Sequence, residues 1–171
     1  MNILISGGSG FLGSAFSHEL IKRYQEMGKE LQITWLTRDS NQVHPSDITM
    51  MTYDELASSE KYFDVILNLA GAGIADARWS DARKAQLLAS RMKPTQDILA
   101  FIARSSVKPQ LLVSGSAIGW YGNQGDKPLT ESSGFQADFA HQLCDDWERL
   151  AQQATELGVA VAIVRTGVVI H

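Results

Sequence analysis

The sequence predicts an α/β protein built on a doubly wound parallel sheet, and three observations carry that expectation. Short β-branched or leucine-rich runs alternate with helical stretches along the whole chain. The runs are mostly apolar on successive residues, the pattern of strands covered on both faces. At 171 residues, 44% hydrophobic and 20% charged, the chain has the size and composition of one globular domain. Strand–helix alternation of this kind implies right-handed βαβ units.

The elements follow in order. Asn2–Ser6 reads as the first strand, and Leu12, Phe16 and Leu20, with Ala15 beside them, give the helical period that follows it. The polar stretch Gln25–Gln32 extends that helix or forms a loop. Gln32–Thr37, Ile48–Thr52 and Val65–Leu69 read as the second, third and fourth strands. Leu87, Leu88, Ile98, Leu99 and Ile102 mark helices before a fifth strand, Gln110–Ser114. Leu143, Trp147, Leu150 and Ala154 stripe the last helix, ahead of a sixth strand at Val159–Val164, which also reads as a longer strong strand over Ala160–Ile170. The four prolines are scattered and there are no repeats, so residues 1–171 read as one domain. The chain stops at His171 with nothing to cover the last strand's far side, as expected of a fragment of a longer protein.

Composition narrows the partners. A net charge of −4 without a Lys/Arg run argues against nucleic acid and anionic membrane surfaces. Cys144 is the one cysteine, which excludes an intramolecular disulfide and a cysteine zinc cage. His18, His44 and His171 have no partners at ligand spacing, so no metal site is expected. Met1 leads straight into Asn2–Ile5 without a signal-peptide pattern, and no apolar run reaches the ~18 residues of a membrane helix. The expectation is a cytoplasmic protein with a small-molecule substrate; assembly into a homo-oligomer stays open.

Ser6-Gly7-Gly8-Ser9-Gly10-Phe11-Leu12-Gly13 joins the first strand to the first helix. Gly8, Gly10 and Gly13 fit G-x-G-x-x-G, and Gly7, Gly10 and Gly13 fit G-x-x-G-x-x-G. Either spacing allows a tight turn and close backbone approach to a pyrophosphate seated on the helix N-terminus. The bland reading is a glycine-rich turn without a ligand; the position between strand and amphipathic helix favours a dinucleotide. An acidic residue at the second strand's end takes the ribose hydroxyls of NAD. Here that strand ends Thr37-Arg38-Asp39, with Arg38 31 positions after Gly7. A guanidinium suits a 2′-phosphate, which favours NADP(H) over NAD. Asp39 remains as an NAD-type ligand, and a solvated arginine is the bland alternative.

Further motifs join the loop: Asn68-Leu69-Ala70-Gly71, Arg78-Trp79-Ser80-x-x-Arg83-Lys84, Ser114-Gly115-Ser116-Ala117-x-Gly119-x-Tyr121-Gly122, Leu143-Cys144-x-x-Trp147-Glu148 and Arg165-Thr166-Gly167. The set resembles the extended short-chain dehydrogenase/reductases, and within them the atypical epimerase-family branch, over essentially the whole chain. The resemblance implies a Rossmann fold with the pyrophosphate on the glycine loop. It lays Leu69, Ala70 and Gly71 along the cofactor ribose, sets Ser114 among the cofactor contacts, and directs Ser116 to the reacting oxygen. The resemblance implies a C-terminal substrate lobe following the segment that ends at His171.

The family's Tyr-x-x-x-Lys pair is missing. Tyr24, Tyr53, Tyr62 and Tyr121 are followed four residues on by Gly28, Ala57, Ile66 and Gly125, and Ala140 and Cys144 stand at the pair's place. Tyr121 is the candidate substitute acid, although the aligned tyrosine is chiefly structural elsewhere in the superfamily. His141 and Cys144 share a helix face as a conceivable thiol–imidazole pair, against the commoner outcome of an inert buried cysteine. Arg78, Arg83, Lys84 and Arg91 read as a solvated helix face sooner than an anion site. Trp79 and Trp147 read as core anchors. The expectation is an NADP(H)-dependent oxidoreductase or epimerase-like enzyme acting on a carbonyl or secondary alcohol, such as that of a sugar nucleotide. The alternative is a non-catalytic NADP(H)-binding sensor.

Overall fold

A computed structural model describes residues 1–39 and 44–169; Ile170 and His171 of the sequence expectations lie outside them. Six strands, β1 (Asn2–Ser6), β2 (Gln32–Thr37), β3 (Ile48–Thr52), β4 (Val65–Asn68), β5 (Leu111–Ala117) and β6 (Ala160–Thr166), form one sheet. All pairings are parallel, in the order β3-β2-β1-β4-β5-β6. The chain builds outward from β1 to β3 and then crosses back to lay β4 on β1's other side. Connections leave the carboxyl ends of β1 and β4 in opposite directions, which opens a crevice there.

Alternation along the strands divides the core. Leu4, Leu36, Ile66 and Leu112 share a cluster with Ile98, Leu99, Phe101 and Ile102 of α3 (Asp81–Arg104) and Ala151 of α4 (Phe139–Gln152). Ile3, Ile5, Ile33, Trp35 and Leu67 form the other cluster, on which Leu20 and Ile21 of α1 (Phe11–Glu26) pack. The apolar period places α1 correctly but not its buried face. Gly13 and Ser17 are the buried positions, while Leu12 and Phe16 are 38% and 44% exposed. Small residues let the helix axis approach the sheet, so the contact is made between the larger ones. In β6, Ile163 packs into the first cluster and Val164 is exposed.

Where the sequence suggests several helices before β5, there is one of 24 residues running through Pro94. The proline removes one helical hydrogen bond, and the buried Leu87, Ile98 and Ile102 hold both halves on the sheet. A short helix, α2 (Tyr53–Ser58), lies outside the expected elements, although its capping box is written in the sequence: Thr52 Oγ1 accepts the Glu55 N–H and Glu55 accepts that of Thr52.

Burial, and then the nearby Asp97 carboxylate, push the Tyr53 phenol from 10.0 up to about 12. The folded state therefore holds this proton more tightly than the unfolded chain. The stabilisation is complete below about pH 10 and is lost as pH rises through about 12. Melting temperatures across that window are expected to fall less steeply for Tyr53→Phe than for the unaltered chain.

Candidate functional site

The carboxyl ends of β1 and β4 are tied together by Ser6. Its buried hydroxyl donates to Asn68 Oδ1 (2.5 Å) and accepts the Ala70 N–H (3.3 Å). The glycine loop then turns directly over β4. Gly7 has φ +72°, and a Cβ on it would lie 2.8 Å from the Leu69 carbonyl carbon. A Cβ on Gly13 would lie 2.4 Å from the Gly7 oxygen, and one on Gly10 3.2 Å from it. The Gly10 N–H donates to that same oxygen at 3.0 Å. The tight backbone packing thus belongs to Gly7, Gly10 and Gly13, which selects the three-residue spacing. Gly8 is different: a side chain there would run into the Trp35 indole at 2.2 Å.

Helix α1 begins at Phe11 with Gly10 as its N-cap, without a side-chain cap and without an acidic residue in the first turn. Its head faces an open groove of about 490 Å³ lined by Ser9, Gly10, Phe11, Ser14, Ala15 and His18. Orphan amides and the positive end of the helix dipole make such a head an anion site. Such a head, behind a loop of closely packed glycine backbone, fits the diphosphate of a dinucleotide. One strand away, the Thr37 hydroxyl accepts the Asp39 N–H (3.0 Å) and donates to the Asp39 carbonyl (2.9 Å), fixing the turn that presents exposed Arg38.

The segment after β4 is braced from inside. Asn68 Nδ2 and the Trp147 indole N–H both donate to Thr95 Oγ1 (2.8 and 3.1 Å), which donates to the Arg91 carbonyl. Arg91 donates to the Ala72 and Leu87 carbonyls and lies 5.3 Å over the Trp147 ring. Arg83 donates to the Gly73 carbonyl and to Gln86 Oε1. The expected solvated basic face therefore fails for Arg83 and Arg91, which hold residues 71–80 in place, while Arg78 is exposed and Lys84 lies over Phe139. Trp147 is a core anchor as expected. Trp79 is not: it is 40% exposed, bonds the Ile74 carbonyl and packs edge-on to Phe139, because it closes a surface loop and never reaches the sheet.

Beyond Ser114, which is buried and bonds the Gly115 carbonyl, β5 carries Ser116 into a charged cluster. The Ser116 hydroxyl donates to Glu148 Oε1 at 2.5 Å. Arg165 grips Glu148 through two 2.8 Å bonds, donates to Tyr121 Oη at 3.1 Å and lies 3.6 Å over the Trp120 ring. Glu148 raises the Arg165 pKa, chiefly through the side-chain hydrogen bonds. The Ser116 and Tyr121 hydroxyls, both buried, are thus tied to one charged pair, Ser116 as donor to Glu148 and Tyr121 as acceptor from Arg165. Cys144 lies against Ser116 and Ala117, and burial pushes its thiol up. His141 instead bonds the Trp120 carbonyl and stacks on Phe135 at 3.8 Å, so the thiol and imidazole have different partners. The sequence motifs contain Glu148 and Arg165 without assigning either a role in the site. A glutamate among the apolar stripe of α4, and an arginine in an apolar strand, were the available signs of a buried pair.

The model of the NAD dependent epimerase/dehydratase family matches residues 3–168. The chain is 33% identical over 178 residues to epimerase family protein Mb2239 of Mycobacterium bovis, covering 98% of this chain and 54% of that protein. It is 31% identical to epimerase family protein YfhF of Bacillus subtilis, covering 99% of this chain and 55% of the relative. The chain thus spans about half the length of the curated relatives it matches. The crystal structure of human epimerase family protein SDR39U1 (isoform 2) with NADPH superimposes with a TM-score of 0.84 at 28% identity, over 99% of this chain and 55% of that one.

Proposed function

Because this chain belongs to the NAD dependent epimerase/dehydratase family, we propose that its crevice holds NADP(H) and serves oxidoreduction or epimerisation at a carbonyl or secondary alcohol, with sugar nucleotides as the substrate class. The carrying observation is the head of α1, lacking a side-chain cap and fed by a loop whose backbone is closely packed at Gly7, Gly10 and Gly13. Amides of the loop, from Gly7 and Gly8 through Phe11, Leu12 and Gly13, take the diphosphate. Thr37 and Arg38 take the 2′-phosphate, a choice supported by NADPH in the human relative's structure. Leu69, Ala70, Gly71 and Ser114 flank the nicotinamide half. Bound there, the nicotinamide supplies the hydride donor or acceptor. Ser116, whose hydroxyl donates a hydrogen bond to Glu148, accepts one from a substrate hydroxyl, and Tyr121 is the nearby proton donor.

A second reading, binding without catalysis, is favoured by one observation: the Ser116 and Tyr121 hydroxyls are both buried and both engaged by the Glu148–Arg165 pair. NADPH absorbance during incubation with a panel of carbonyl compounds separates the two. Consumption supports catalysis; tight binding without turnover supports the sensor.

The cofactor itself is tested by calorimetry. Arg38→Ala is expected to weaken NADPH by about 1.5–3 kcal/mol, the scale of a hydrogen bond to a charged group, and to leave NADH nearly unchanged. Equal losses for the two dinucleotides refute the 2′-phosphate role. An unaltered chain that binds neither refutes the reading as a whole.

A further inference from the structure

Trp35 has no place in the dinucleotide motif, yet it touches that motif at two points. Its indole fills the space beneath Gly8, 2.2 Å from where a Cβ would stand. Its ring N–H donates to Ser17 Oγ at 2.9 Å, and Ser17 donates to the Gly13 carbonyl at 2.7 Å. Both side chains are buried, Trp35 at 3% exposure and Ser17 at 0%. One side chain of β2 thus sets the height of the loop's second residue and, through one hydroxyl, holds the first turn of α1 that the loop feeds.

We propose that Trp35 and Ser17 are positioning residues for diphosphate binding: together they hold Gly8 and Gly13 so that the amides at the head of α1 converge on one point. Amides can act jointly on a diphosphate only while they share a direction, and a bond between the helix's first turn and the neighbouring strand keeps that turn from rocking. Packing alone would need an apolar ring of Trp35's size. The bond to Ser17 adds direction, since the indole N–H has a single line of approach. The inference rests on the dinucleotide reading above and adds to it the side chains that set the loop's geometry. It also explains Gly8, whose need for glycine comes from the ring beneath it.

Two variants break the same bond from opposite ends. Trp35→Phe keeps an aromatic plane under Gly8 without the N–H, and Ser17→Ala removes the acceptor. In calorimetry on the full chain, each is expected to weaken NADPH and NADH by the same factor, about tenfold, the scale of one hydrogen bond. The double variant is expected to lose no more than the weaker-binding single, because the bond is lost only once. Melting temperatures are recorded alongside. Lower melting temperatures with unchanged affinities overturn the proposal, since a purely structural pair moves the first and not the second. If Trp35→Phe does not fold, Ser17→Ala decides by the same criterion. Unchanged affinity in the variants sinks this inference alone; an unaltered chain that binds neither dinucleotide sinks the functional reading and takes this one with it.

Discussion

Gly7→Ala is expected to cost on the order of 3 kcal/mol of stability and to lower dinucleotide affinity by at least about a hundredfold. Two effects add. At φ +72° a Cβ is strained by about 1–2 kcal/mol, and here it would also meet the Leu69 carbonyl at 2.8 Å. That obstacle is backbone of the adjacent strand end, so no side chain can turn aside and the loop itself must lift. Gly28→Ala is the control, because Gly28 has φ +61° and no atom within 4 Å of the added carbon. It should lose a similar strain energy and keep full affinity. Urea unfolding and calorimetric titration with NADPH separate the contributions. Wild-type affinity in Gly7→Ala shows that the loop does not grip the ligand from above β4.

The second large effect concerns the pair behind Ser116. Glu148→Ala is expected to cost about 3–5 kcal/mol, the loss typical when one partner of a buried ion pair is removed. Side-chain exposures of 7% for Glu148 and 21% for Arg165 leave the orphaned guanidinium little water. Replacing both, as Glu148→Leu with Arg165→Met, is expected to restore most of the loss, since well-packed apolar groups carry no desolvation penalty. Chemical denaturation of the two single variants and the double gives the coupling directly. A cost below about 1 kcal/mol for Glu148→Ala places the pair with exposed salt bridges and removes its claim to orient Ser116.

The strands were legible because each is a short apolar run with turn residues at its ends. β1, β2 and β3 fall on their expected boundaries, and β4 ends one residue early at Asn68. β5 runs further toward the crevice than expected, and β6 ends at Thr166, past the expected Val164 but within the longer strand read over Ala160–Ile170, because Gly115 through Ala117 pair with Val164 through Thr166. Such pairing depends on a partner distant in sequence, so local pattern carries no trace of it. Arg91 and Trp79 exchanged their expected surroundings for a related reason. Period places both on or near one helix, while the path of residues 71–80 decides which is enclosed.

By itself the sequence determined the class of fold, the glycine turn and the cation at the tip of β2, all of which depend on neighbours a few residues apart. Steric limits at glycine and the period of apolar residues act locally and can be read locally. Tertiary structure alone decided which three glycines bear the packing, that Trp35 lies beneath the fourth, and that Ser116, Tyr121, Glu148 and Arg165 form one hydrogen-bonded group. Those relations join strands and helices far apart in the chain. Their energies come from desolvation and close contact, which exist only once the sheet has brought the parts together.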